Sequence, residues 1–263
     1  MLNEEIRKIV MGFRPIDDDF MNIIFSENTP LVEYVIRVIL NKNDLVIESS
    51  KTQVDTHHIG SRNITFDVLA KDSAGNKYNI EVQRSNSGAD KKRARFHSAS
   101  IDVNSLESGQ SFKKLIDSYI IFITENDVLR GNNLIYHIER SITETGKKFN
   151  DGAHIIYVNA SYNNIDSELG KLVHDFMCKQ SNEMLCKPLA EVTYKYKNTP
   201  EGVEHMCKAV EEYGQKRENI GCQKGIISTI KKLLKKGVLS NKEIAEAMDM
   251  SEESINEIAS QIN

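Results

Sequence analysis

The stretch Phe66-Asp67-Val68-Leu69-Ala70, then Tyr78-Asn79-Ile80-Glu81-Val82-Gln83-Arg84, decides how this chain reads. Both segments are rich in β-formers, and Asp72-Ser73-Ala74-Gly75-Asn76 between them is turn chemistry. If those residues close a hairpin in which Lys71 faces Lys77, Asp67 lies opposite Glu81. Cross-strand partners share one side of the pair, with β-carbons roughly 4.5–5.5 Å apart. Gln83 joins that side by alternation, leaving Phe66, Val68, Ile80 and Val82 as an apolar opposite side. A bulge would shift the register.

Two facing carboxylates repel unless a positive group sits between them. A hard divalent cation meets that need: Mg2+ takes one or two carboxylates and completes its octahedron with water and phosphate oxygens. Such an ion activates water and stabilises charge on a phosphate. Mg2+ is therefore the expected cofactor, with Mn2+ as a substitute. The Val82 carbonyl would supply one more oxygen, and Gln83 would orient the attacking water. The plain alternative is two polar residues on the wet face of an ordinary hairpin.

Outward from the hairpin, Asp17-Asp18-Asp19 precedes Phe20, Ile23 and Ile24, an acidic helix start with an apolar face. Thr29 as cap and Pro30 at the first position open a second helix carrying Leu31, Val35 and Ile39. Leu45-Val46-Ile47 reads as a short strand, and His57 and His58 as loop residues. After the hairpin, Phe96, Ala99, Val103 and Leu106 recur at helical steps. That helix opens on Lys91-Lys92-Arg93-Ala94-Arg95, where cations work against the helix dipole. Lys91, Lys92, Arg93 and Arg95 are therefore expected to meet DNA backbone phosphates, in a salt-sensitive interaction. The apolar runs 119–123 and 155–158 suit strands covered on both faces, and Ile165, Leu169, Leu172 and Phe176 suggest a covering helix.

The Asp67…Glu81-Val82-Gln83 arrangement resembles the PD-(D/E)XK nuclease superfamily, whose motif is an acid on one strand and E/D-x-K on the next. More narrowly, the chain is similar to the recombination-promoting nuclease and putative transposase family, which commonly has Gln in place of that Lys. Asp19-Phe20 with Phe25 looks like the family's opening helix motif, and Lys92-Arg93-Ala94 like the basic start of its next helix. The likeness covers roughly residues 15–125 well. It implies a restriction-endonuclease-like α/β fold: a mixed sheet flanked by helices. It also implies that Asp67 and Glu81 hold the metal, that Gln83 takes the lysine's role, and that Asp19 is an outer acidic ligand. Asp19 has a plainer reading as a helix-start acid.

The rest of the chain limits these expectations. Of its 263 residues, 40% are hydrophobic and 27% charged, so wholesale disorder is excluded, and a net charge of −4 argues against indiscriminate coating of nucleic acid. With no apolar run near the start, no membrane span and no CxxC pair among Cys178, Cys186, Cys207 and Cys222, the expectation is a cytoplasmic protein without structural zinc. No small-molecule cofactor is expected. A loose boundary near residues 195–220, where 195–202 is polar and contains Pro200, separates a nuclease-like domain, 1–200, from a helical C-terminal extension, 201–263. There Ile226, Ile230 and Leu233 form a stripe, and Ser240 with Glu243 reads as a capping box. Glu252, Glu253 and Glu257 make the last helix a poor reader of DNA, so packing or self-association fits it better. The leading function is a metal-dependent DNA endonuclease linked to recombination or mobile elements. The competing one is a catalytically weak or inactive nuclease-fold protein that binds DNA or regulates. Cutting both strands with one site per chain would favour a homodimer.

Overall fold

The computed structural model describes residues 4–56 and 63–260, so His57 and His58 lie outside the described residues. In chain order the elements are α1 (Glu4–Gly12), α2 (Asp18–Phe25), α3 (Thr29–Leu40), β1 (Ile47–Thr56), β2 (Ile64–Asp72), β3 (Lys77–Gln83) and α4 (Lys91–Val103). They continue with β4 (Ser118–Thr124), β5 (Ile135–Ile138), β6 (Ala153–Asn159), α5 (Glu168–Met177), α6 (Lys187–Asn198), α7 (Pro200–Lys236), α8 (Asn241–Ala247) and α9 (Glu252–Ser260). The six strands form one mixed sheet in the order β1-β2-β3-β4-β6-β5. β1, β2 and β3 run antiparallel, β3, β4 and β6 run parallel, and β5 returns antiparallel to β6. This is the α/β architecture expected, with helices on the sheet and further helices at the C-terminal end.

The hairpin forms as its turn chemistry requires. Asp72 accepts from the N–H groups of Ala74 and Asn76 at 2.9 Å, Gly75 takes φ 92°, and Lys71 pairs with Lys77. Strand β4 is buried along its whole length, which explains its unbroken apolar run. One face packs on α4 through Ile64, Phe66, Ala94, Ile101, Ile120 and Phe122. The other carries Val68, Ile80 and Val82, and α2 and α3 pack there.

Several expectations need correction. The strand seen at residues 45–47 begins at Ile47 and runs to Thr56. Its polar residues are allowed because β1 is the sheet edge with one wet face. Asn28, not Thr29, caps α3, its side chain accepting from the Leu31 N–H at 3.3 Å. The helix expected from Phe96, Ala99 and Val103 forms as α4, with those residues on its outer face and Ala94, His97, Ser98 and Ile101 on its inner face. Phe66 sits with the α4-side core, although strict alternation puts it with Val68. The strand opposite explains this: Gln53 in β1 has φ 51°, a left-handed kink facing Asp67 that interrupts the regular face alternation.

Residues 195–202 lie at the end of α6 and the start of α7, and Lys197 among them is buried. The chain divides into two compact units, Met1–Cys207 and Lys208–Asn263. The second has its own small core of Ile230, Ile244, Ala245, Ile255 and Ile258. Its Ser240–Glu243 capping box forms, while Ile226 is exposed. Among the described residues, no helix is long and apolar enough to cross a membrane.

Candidate active site

At one end of the hairpin the strands part. The regular β2–β3 ladder stops at Val68–Ile80, and beyond it the carboxylates fill the gap between the strands. Glu81 Oε1 accepts from the Asp67 N–H at 3.2 Å, and Asp67 Oδ2 accepts from the Val82 N–H at 3.3 Å. Each acid thus replaces a missing ladder bond with a charge-assisted one. Val82 turns its N–H toward this fork, and the N–H and C=O of one strand residue point the same way, so its carbonyl faces the fork too.

The two acids meet different surroundings. Glu81 is fully buried on the α4 side. Arg93 Nη2 lies 3.0 Å from its Oε2, and His97 Nδ1 3.4 Å from its Oε1. Arg93 Nε also donates to His97 Nε2 at 3.2 Å, which leaves the ring proton on Nδ1, facing Glu81. Arg93 and His97 are four apart on α4, so one helix face delivers both. Asp67 instead looks toward α2. Gln53 Nε2 donates to it at 3.4 Å and to Asn22 Oδ1 at 2.9 Å. Burial, with the charges of Glu81 and Asp18 nearby, pushes the Asp67 carboxyl up to about 8.

Gln83 ends β3 with its side chain folded over Gly88. A β-carbon at Gly88 would lie 1.8 Å from Gln83 Oε1, so only glycine leaves the amide this position. The start of α2 is held by a charge network around the end of β3. Arg14 pairs with Asp17 at 3.2 Å and Glu125 at 2.9 Å, and Arg84 pairs with the same two acids at 3.1 Å each.

The structure therefore brings Asp67, Glu81 and Val82 together in one fork, with Gln83 at its edge. Arg93 points inward to Glu81, whereas Lys91, Lys92 and Arg95 remain exposed at the start of α4. From the acidic helix start, the charge felt at Asp67 is that of Asp18; Asp19, singled out in the sequence, is half-buried beside it. Sequence reasoning missed Gln53, Asn22 and His97. Only His97 carried a signal, its four-residue spacing from Arg93.

The donor set suits a divalent ion: two carboxylates and a carbonyl, all oxygen, with one carboxyl held at a raised pKa by burial and then by its neighbour. Among the described residues, three His, Cys or acidic donors within 4.8 Å of one another occur elsewhere, at His174, Asp175 and Cys178. Asp175 is already engaged there, accepting from the N–H groups of Leu185 at 2.8 Å and Cys186 at 2.6 Å. Burial pushes the Cys178 thiol up to about 11. This cluster ties down the end of α5.

No curated protein and no solved structure matches the chain. A family model, PD-(D/E)XK nuclease family transposase, matches residues 23–173 and so takes in α3, the hairpin, α4 and the sheet centre. That span is more than half of the 263 residues. With the acid fork inside the matched span, the chain belongs to the PD-(D/E)XK nuclease family transposases.

Proposed function

We propose that the chain is a cytoplasmic DNA endonuclease that hydrolyses phosphodiester bonds with Mg2+, or Mn2+ in its place, in recombination or mobile-element work. The observation that carries this reading is the fork itself, where buried Glu81 and half-buried Asp67 cap each other's strands with the Asp67 pKa strongly raised. Asp67, Glu81 and the Val82 carbonyl would hold the ion, with Asp18 or Asp19 as an outer acid. When bound, the ion lowers the pKa of its water and neutralises charge on the phosphate. Gln83, a neutral amide, orients water through its own hydrogen bonds. Arg93 supplies positive charge from α4, where the family's general motif has a lysine on the strand. Lys91, Lys92 and Arg95 hold flanking phosphates. Residues 1–200 form the nuclease-like domain and 201–263 a helical extension that serves packing, including a homodimer for double-strand cutting.

The test is cleavage of supercoiled plasmid with Mg2+ or Mn2+, alongside EDTA and Asp67→Ala controls. Nicking lost in both controls is expected. The second reading, a nuclease-fold module that binds DNA without cutting, draws support from the Arg93–Glu81 pair, which already neutralises one acid. Retention of DNA in a gel shift with no cleavage under any metal would establish it instead.

Gly88 offers a finer test of Gln83. Gly88→Ala would push the amide aside, and misplacement by about 1 Å commonly costs about a hundredfold in rate. The displaced atom is the end of a flexible side chain, so the melting temperature should move by no more than about 2 °C. An unchanged rate would remove Gln83 from the site.

A further inference from the structure

The outer face of α4 is where the apolar stripe went, and it leaves Phe96 38% exposed. An exposed phenylalanine alone is ordinary. This one, however, walls a cleft of about 630 Å³ together with Thr65, Ser87, Lys92, Arg93 and His97. Two of those, Arg93 and His97, also touch Glu81, so the cleft opens directly beside the acid fork. Asp90 lines it too, with its carboxylate accepting from the Lys92 N–H at 2.8 Å.

Its volume is in the range that encloses a small ligand. An aromatic face, two cations and several hydrogen-bonding side chains are what single-strand binding sites use, the ring stacking on a base and the cations following the backbone. A paired duplex keeps its bases stacked inside and delivers one to such a ring only by unstacking it. We infer that this cleft receives an unpaired nucleotide adjoining the scissile phosphate. Single strands, and duplexes with a flap, bulge or frayed end, are then preferred over blunt duplex. The inference deepens the nuclease reading and rests on it for the position of the cut; the binding itself needs no turnover.

The chain has no tryptophan, so Phe96→Trp installs a single fluorophore in the cleft wall. In EDTA, a single-stranded oligonucleotide and a flapped duplex should quench it at concentrations about tenfold or more below those needed by blunt duplex. Phe96→Ala should weaken single-strand binding by about 5- to 100-fold, and Phe96→Trp should retain it. Equal quenching by blunt duplex and single strand, or single-strand binding by Phe96→Ala equal to the parent's, would overturn the inference. Quenching as expected, with no cleavage of plasmid, single strand or flapped duplex under Mg2+ or Mn2+, supports the cleft and sinks the nuclease reading. Cleavage without selective quenching sinks the cleft alone.

Discussion

Asp67→Asn should abolish cleavage and, in the metal-free protein, raise stability. The loss follows from removing one of two carboxylates able to hold a divalent ion, whose stabilisation of the reacting phosphate amounts to several kcal/mol. A loss of about 4 kcal/mol corresponds to about a thousandfold in rate. The gain in stability follows from the cost of keeping Asp67 ionised where burial, Glu81 and Asp18 all oppose its charge. Asparagine has nearly the same shape, and its oxygen can still accept from the Val82 N–H, so the strand fork persists. The direction with pH is fixed by the raised carboxyl. Between the ordinary value of 3.8 and about 8 the folded state binds more protons than the unfolded one. The contribution of Asp67 is therefore fully present below about 3.8 and is lost as pH rises through about 8. In EDTA the parent's melting temperature should fall from pH 5 to pH 8 more steeply than the variant's. At pH 8 the variant should melt higher by about 2–4 °C for each 1 kcal/mol relieved. A variant that melts lower than the parent at pH 8 would show the acid pair to be a net structural support, and the argument for a metal would lose its basis.

Much of the site was readable because local chemistry fixed it. The Asp72–Asn76 turn sets the hairpin register, and that register brings Asp67 and Glu81 to the same end of the strands. What could not be read depended on packing. Periodicity predicted α4 from Phe96, Ala99 and Val103, but counting apolar residues cannot anticipate that a buried His97 turns them outward. That histidine accepts from Arg93 at 3.2 Å and turns its other ring nitrogen to Glu81 at 3.4 Å. The same rotation of the helix decides that Arg93 reaches Glu81 while its neighbours stay outside. The change of face at Phe66 comes from a positive φ at Gln53, a residue that gives no such sign in the sequence. β1 was cut short for a different reason: a sheet edge tolerates Ser49, Ser50 and Lys51, so a true strand looked like a loop.

Lys197→Met should destabilise the first unit by about 3 kcal/mol, a fall of about 6–12 °C in melting temperature. Lys197 is 2% exposed, and its Nζ donates to the carbonyls of Met11 at 3.3 Å, Lys179 at 2.7 Å and Phe13. It also lies 5.1 Å over the Phe20 ring of α2. Replacing a buried charge by an apolar side chain of like volume is often neutral, because desolvation of the charge is relieved. Here the three carbonyls remain after the substitution, and each loses its donor at a cost of about 1 kcal/mol or more. That loss outweighs the relief. Burial lowers the lysine to about 8, so between about 8 and the ordinary 10.5 the folded state binds fewer protons than the unfolded one. Parent stability should therefore rise with pH across that window from this group, and the gap to Lys197→Met should be wider at pH 10 than at pH 7. The consequence reaches the site, because the carbonyls of Met11 and Phe13 flank the segment leading to Arg14, Asp17 and the start of α2. Loosening it should reduce cleavage below the new melting point as well, by displacing Asp18 relative to Asp67. Thermal melts of the two proteins at pH 7 and pH 10 decide the matter: equal stability would mean that the carbonyls find water once the lysine is gone, and that the tie is dispensable.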